Sequence, residues 1–325
     1  MVVACTGFFD GVHRGHRAVL GEVCRIASEK GCKSAVITFW PHPRAVLQQD
    51  AVRFRLLNSL EEKQKLMHSL GIDDVFVLPF DKDFAKQSTE EFFRRYLKVK
   101  YAVRTLVVGY DHRVGSDVNQ TQDQMFEIAR KLGINPIRVE QFGSSDIDDT
   151  HFKESYNFRA DNLVVTKDKN NISSTKIRDC ISNGNISQAN YMLGYRYGLE
   201  GVVVEGQRIG RTIGFPTANI KLYEPLKLLP ADGVYAVWVE AQGKTYRGIT
   251  NIGTRPTVSF GSEKTIETHI LDFDEDIYGL SLKIELTGRL RNEQKFPSLD
   301  ELKIQLFKDR ENSLEFLPDN GIKLR

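Results

Sequence analysis

The sequence predicts an α/β half built on a parallel sheet, followed by a small antiparallel β-barrel with a C-terminal helix. Three observations carry that expectation. Through the first half, short apolar runs take turns with helical patterns, the order that covers both faces of a parallel sheet. Past residue 200 the helical period stops and strand-like runs follow one another across turns, as in a small barrel. The chain has 325 residues, enough for two domains.

The elements follow in order. VVAC (2–5) reads as a buried strand running into a glycine-bearing loop. In HRAVLGEVCRIASEKG (16–31), Val19, Val23 and Ile26 recur at helical spacing and Gly31 ends the run. SAVITF (34–39) is the next strand, and SLEEKQKLMHSLG (59–71) is a helix with a serine cap and a terminal glycine. DVFVLPF (74–80) is a strand, TEEFFRRYL (89–97) a helix, RTLVVG (104–109) a strand and QDQMFEIARKLG (122–133) a helix. Ligands of such sheets bind beyond the carboxyl ends of the strands. The polar, aspartate-rich stretch 143–170 reads as an insertion, and a short helix opens at STKIRDCI. The join falls near Gly184–Gly194, giving domains at 1–183 and 184–325. Beyond it, LEGVVVEG (199–206), GVYAVWVEAQG (233–243), KTYRGITNIG (244–253), TIETHILDF (265–273) and LSLKIELTG (280–288) are strand-like. In the last, Leu280, Leu282, Ile284 and Leu286 alternate with polar residues, the pattern of a sheet with one wet face. SLDELKIQLFKDR (298–310) is a closing helix with a serine cap.

Composition excludes several classes. Forty-five Lys and Arg against 43 Asp and Glu leave a formal charge of +2. A dedicated nucleic-acid or anionic-membrane binder needs a concentrated basic surface, so neither partner is expected. The four cysteines form no C-x-x-C pair, and a reducing compartment follows. MVVACTGFFDGVHRGH lacks the basic start and apolar segment of a signal peptide. No apolar run approaches the roughly 18 residues that span a bilayer, and a cytoplasmic protein is expected. Protein partners are not legible.

Two segments of the first half suit phosphate. GFFDGVHRGH (7–16) lies between the first strand and first helix. Its glycines allow close backbone approach, and the helix N-terminus offers N–H groups to an anion. His13 and His16, three residues apart, can face one phosphate or simply cap the helix; a zinc site lacks further ligands at suitable spacing. No P-loop lysine is present. In ISSTKIR (172–178), Ser173, Ser174 and Thr175 can cap a helix, and Arg178 about one turn inside can neutralise phosphate oxygens.

Together these segments resemble the nucleotidyltransferase superfamily, with its H-x-G-H and I-S-S-T-x-I-R signatures. GFFDGVHRGH, TFWPHPR (38–44) and GYDHRVG (109–115) look specifically like prokaryotic bifunctional riboflavin kinase/FAD synthetase. That resemblance implies a Rossmann-like nucleotidyltransferase domain transferring AMP from ATP to FMN. His13, His16 and Arg178 would be its catalytic phosphate-holding residues. Gly7, Phe8, Phe9, Asp10 and Gly11 would line the nucleotide, and Ser173, Ser174, Thr175 and Arg178 would hold the leaving pyrophosphate. Trp40, His42 and Asp111 belong to the flavin side. The chain departs from the family where Trp40 replaces the aspartate of T-F-D-P-H-P and Val114 an aromatic residue. It also starts on the first strand, and its 143–170 stretch is long.

GQRIGRTIGFPTANI (206–220) is the most specific string of the second half. Its glycines suit a loop folded over a nucleotide, and Pro216 fixes the approach to Thr217 and Asn219, whose oxygens suit Mg²⁺. A plain hairpin turn is the alternative from spacing alone. The string resembles the G-x-P-T-A-N signature of riboflavin kinases, and NIGTRPTV (251–258), TIETHILDFDEDIYG (265–279) and LRNEQKF (290–296) agree with later blocks of that domain. By resemblance, Gly210, Arg211, Gly214, Pro216, Thr217 and Asn219 bind ATP, and Thr217 and Asn219 also hold the metal. Glu267 is then the base for the ribityl hydroxyl, and Asn251, Arg291 and Glu293 border the flavin. The expected enzyme uses ATP and Mg²⁺ to make FMN from riboflavin and FAD from FMN. A riboflavin kinase impaired in FAD synthesis and a non-catalytic flavin-binding regulator stay open as alternatives.

Overall fold

The computed structural model describes residues 1–47, 54–110, 112–117, 119–140, 172–206, 209–256 and 262–318. Asp111 and the 143–170 stretch lie outside the described residues. Residues up to 140 with 172–174 form one compact unit, and those from Thr175 onward form another.

The first unit is a parallel sheet of five strands: β1 (Val2–Thr6), β2 (Lys33–Trp40), β3 (Asp74–Pro79), β4 (Val103–Val108) and β5 (Asn135–Arg138), in the order β3-β2-β1-β4-β5. The three inner strands β1, β2 and β4 are buried on two faces, because successive side chains point opposite ways. Val3 and Cys5 meet α1 (Arg14–Glu29), through Val19, Leu20, Val23 and Ile26, and Met67 of α3 (Leu60–Ser69). Ala4 faces the other side. There Phe92 of α4 (Thr89–Phe92), Phe93 and Leu97 of the π-helical turns that continue it, and Met125 and Phe126 of α5 (Gln122–Lys131) pack together. A short α2 (Pro43–Leu47) follows β2. Ser59, Ser88 and Thr121 form capping boxes with Glu62, Glu91 and Gln124, the reciprocal pairing that their spacing encodes. Strand β5 escaped the sequence reading: Pro136 cannot donate to a ladder, and β5 sits at the sheet edge, where that is tolerated.

The stretch 184–194 contains a helix. After α6 (Ser174–Ser182), Gly184 and Gly194 bracket α7 (Ile186–Leu193), whose Ile186, Ala189 and Leu193 are buried. Buried Asn190 accepts from Tyr197 N–H and donates to the Leu286 carbonyl, tying this helix to the barrel.

The barrel comprises β6 (Gly198–Val204), β7 (Ala218–Leu222), β8 (Gly233–Ala241), β9 (Lys244–Pro256), β10 (Ser262–Ile270) and β11 (Ser281–Arg291). They close in the order β10-β7-β6-β11-β8-β9, which leaves no open edge. A single turn, α8 (Ile209–Thr212), precedes β7. Leu282, Ile284 and Leu286 of β11 point into the core as the alternation required, whereas Leu280 precedes the strand and is exposed. Helix α9 (Leu299–Phe316) starts at the expected Ser298 cap but runs beyond residue 310. Among the described residues, no helix is long and apolar enough to cross a membrane.

Candidate active sites

In the first unit the strand order reverses beside β1, so the loops after β1 and β4 leave the sheet in opposite directions and open a crevice there. His112, from the loop after β4, bridges it: its Nε2 lies 2.9 Å from Thr6 Oγ1 at the end of β1. The loop after β1 is bent hard. Phe9, Gly11 and Val12 take φ of 55°, 87° and 37°. Positive φ in a β-branched residue costs on the order of 1–3 kcal/mol; burial of Phe9 and Val12 in the α1-side core holds it. Asp10 fixes the bend from below, its carboxylate accepting from Leu57 N–H at 3.1 Å and Asn58 N–H at 3.3 Å. Ser174 Oγ donates to the Asp10 carbonyl at 2.8 Å, within the same unit.

His13 is the N-cap of α1. Its Nδ1 accepts the His16 backbone N–H at 3.3 Å, so the neutral ring carries its proton on Nε2. The imidazoles of His13 and His16 stack with centroids 3.6 Å apart. Burial, then the neighbouring His13, Lys63 and His112, hold the His16 pKa well below the usual histidine range, so His16 is neutral at pH 7. Its buried Nδ1 has no hydrogen-bond partner among the described residues. A neutral imidazole with an unsatisfied nitrogen, at a helix N-terminus, is a polar group that a phosphate can complete. Arg178 stands four residues past Ser174 on α6, a spacing that puts both on one helix face.

On the flavin side named by sequence, Phe8 is the hub. The Trp40 ring lies nearly parallel to it, with centroids 6.2 Å apart, and His42 tilts against it at 4.0 Å. Phe54 closes on His42 at 4.3 Å. Trp40 is half-buried.

In the barrel, register assembles the site. Glu267 pairs with Asn219 on β7 and with Asn251 on β9. Asn251 pairs with Val234, and Val234 with Arg291. Directly opposed residues share a face, so one row runs Asn219, Glu267, Asn251, Val234, Arg291 across five strands. A cavity of about 320 Å³ opens on this row, bounded by Glu267, Asn251, Arg291 and Glu293, with Leu302 and Leu306 of α9. A second, of about 300 Å³, lies among Arg211, Pro216, Thr268 and residues 274–278. Thr217 lines both.

Two glycines make the P-T-A-N segment possible. A Cβ on Gly210 would stand 2.2 Å from the Phe215 carbonyl oxygen, and one on Gly206 2.1 Å from Asn219 Nδ2. Gly214 turns the loop with φ of 85°, and Ala218–Leu222 then enters the barrel as β7 rather than forming a hairpin turn. His269, two residues from Glu267 on β10, anchors the segment through a 2.8 Å contact from Nδ1 to the Pro216 carbonyl. Burial lowers its pKa, and the neutral ring donates from Nδ1. Arg291 grips Asp309 of α9 through Nε and Nη2 at 2.8–3.0 Å. Its guanidinium latches the helix that walls the cavity. Asn251 Nδ2 lies 3.4 Å from Glu293 Oε1.

Sequence reasoning named His112 only within the flavin-side run 111–115, and gave no role to His269 or to Lys63, whose side chain is buried beneath Phe8. His112 had a usable signal, since it follows the β4 strand at the switch of strand order. The other two had none.

Comparison with known proteins agrees in both halves. A FAD synthetase family model matches residues 1–155, and a riboflavin kinase model matches residues 193–317. The bifunctional riboflavin kinase/FMN adenylyltransferase of Bacillus subtilis (strain 168) is 34% identical over 317 residues, covering 97% of this chain and 92% of the relative. The proteins of that description from Listeria monocytogenes and Escherichia coli (strain K12) are 37% and 36% identical, each covering 97% of this chain and 92% of the relative. A crystal structure described as a macrolide-efflux protein from Streptococcus pneumoniae superposes with a TM-score of 0.82 at 31% identity, covering 95% of this chain and 93% of that one.

Proposed function

The chain belongs to the bifunctional riboflavin kinase/FMN adenylyltransferase family, and from that premise we propose how its residues divide two reactions. Residues 184–325 phosphorylate riboflavin to FMN, and residues 1–183 transfer AMP from ATP to FMN. Cysteines without a C-x-x-C pair support a cytoplasmic setting.

The observation that carries the kinase reading is Thr217, which lines both cavities of the barrel. An acceptor in the larger cavity and a nucleotide in the smaller one meet there. Glu267 faces the larger cavity and takes the proton of the ribityl 5′-hydroxyl. The hydroxyl oxygen then attacks the γ-phosphorus, the bond to the β–γ bridging oxygen breaks, and ADP leaves. A carboxylate at hydrogen-bond reach suffices for that task. Asn251 and Glu293 border the flavin, while Arg291 keeps α9 against it. The Thr217 hydroxyl and the Asn219 amide oxygen are hard donors of the type Mg²⁺ takes. The cradle at Gly206, which a Cβ would fill, leaves room for the Asn219 amide. These residues fit the ion, which when bound neutralises phosphate charge.

In the first unit, one oxygen of the FMN phosphate attacks the α-phosphorus of ATP in line, and pyrophosphate leaves. No protein nucleophile is needed, so positioning and charge stabilisation carry the rate. The stacked His13–His16 pair and its unsatisfied Nδ1 support phosphate contact at the helix mouth. Ser173, Ser174, Thr175 and Arg178 hold the pyrophosphate, and Trp40 and His42 receive the flavin. Incubating purified protein with riboflavin and MgATP, then separating the flavins, tests both halves. FMN and FAD are expected. FMN alone would leave a riboflavin kinase, and binding without either product a regulator.

A further inference from the structure

Among the described residues of the first unit, Lys63 is the most thoroughly buried cation, 1% exposed, and the chemistry above does not use it. It comes from α3, far along the chain from the loop it touches. Its Nζ donates to the Phe8 carbonyl at 2.9 Å and to Thr38 Oγ1 at 3.1 Å. It also stands 3.7 Å from the centroid of the Phe8 ring. These contacts occupy three directions around Nζ: carbonyl, hydroxyl and aromatic face. Lys63 therefore does not reach substrate. Thr38, itself fully buried, donates its own hydroxyl hydrogen bond to the same Phe8 carbonyl at 3.2 Å.

The consequence lies in peptide geometry. In a trans peptide the C=O and the following N–H point in opposite directions. Two buried donors hold the Phe8 carbonyl toward the core, so the Phe9 N–H is turned the other way. Phe9 and Val12 sit in a backbone region that bulky residues resist. Without a brace on Phe8, that bend can relax. Asp10, the acid that acts on Lys63, already spends its carboxylate on Leu57 and Asn58. Burial pushes the Lys63 pKa down to about 7 even so, and the neutral amine that this favours keeps two N–H donors, enough for the Phe8 carbonyl and the Thr38 hydroxyl.

We propose that Lys63 is a positioning residue for adenylyl transfer. It clamps the Phe8 carbonyl inward, so that the strained loop after β1 presents the Phe9 N–H to a phosphate oxygen of ATP. This rests on the adenylyltransferase reading of the first unit.

The test is Lys63→Met, which keeps the length and apolar stem while removing the donors. FAD formation from FMN and riboflavin phosphorylation are both measured, beside the wild type. Leaving a buried carbonyl without such a donor corresponds to about tenfold or more in rate. The expected result is a tenfold or greater fall in kcat/KM for ATP in adenylyl transfer, with KM for FMN within about twofold and kinase turnover unchanged. The intact kinase reports on folding within the same chain. Thr38→Val, nearly isosteric, removes one of the two struts and is expected to move ATP kinetics the same way by several-fold. Wild-type ATP kinetics in folded Lys63→Met would overturn the proposal, as would a rise in KM for FMN equal to that for ATP. If Lys63→Met does not fold, unchanged ATP kinetics in Thr38→Val overturn it alone. A wild type that makes no FAD sinks the adenylyltransferase reading itself, and this proposal with it.

Discussion

Glu267→Gln tests the barrel chemistry most directly. The substitution keeps shape and length but removes the basic oxygen, and its strand neighbours Asn219 and Asn251 remain paired on either side. Cβ atoms directly opposed across a ladder lie about 4.5–5.5 Å apart, so a glutamine amide can bond to either asparagine and the row survives. The expected loss is therefore chemical rather than structural. General-base catalysis contributes about 10²–10⁴ in rate, equivalent to about 2.7–5.4 kcal/mol of barrier. Riboflavin and MgATP are supplied and FMN is quantified over time. FAD formation from supplied FMN, in the other unit, serves as the internal control and is expected to stay at the wild-type rate. KM for riboflavin is expected to change little, because the variant fills the same cavity wall. FMN formation within threefold of wild type would remove Glu267 from the base role.

Three further outcomes are expected. Gly206→Ala places a methyl group where the Asn219 amide now lies, 2.1 Å from its nitrogen; it should cut kinase turnover at least tenfold at nearly unchanged melting temperature, and full activity would show that Asn219 can move without cost. Asp309→Ala strands the partly buried Arg291 guanidinium, a change of about 3 kcal/mol for a buried pair; thermal unfolding should come earlier and KM for riboflavin should rise as Leu302 and Leu306 loosen. An unaltered melting temperature would mean that water replaces the pair. Trp40→Ala removes a half-buried indole from the Phe8 cluster; if its outer face stacks on the flavin, KM for FMN should rise several-fold, on the order of 1 kcal/mol, with kinase kinetics intact, and an unchanged KM would leave Trp40 a packing residue for Phe8.

Much of this molecule was legible in its order of residues. Alternating strand and helix patterns require a doubly covered sheet because a parallel strand must bury both faces, and Val3, Ala4 and Cys5 do so in sequence. Capping residues marked helix starts because the cap acts on its own chain within three residues. The histidine spacing, the I-S-S-T run and the P-T-A-N string were visible for the same reason: each is a local arrangement whose chemistry its neighbours define. What only the tertiary structure decided is which distant residues complete those arrangements. Lys63 reaches Phe8 across 55 positions, His269 reaches Pro216 across 53, and His112 reaches Thr6 across 106. The row Asn219–Glu267–Asn251 depends on the register of three strands, and a slip of one residue would turn Glu267 to the other face. Periodicity along a chain states which face a side chain takes. It carries no information about what stands opposite, because that follows from how separate elements close around a common core.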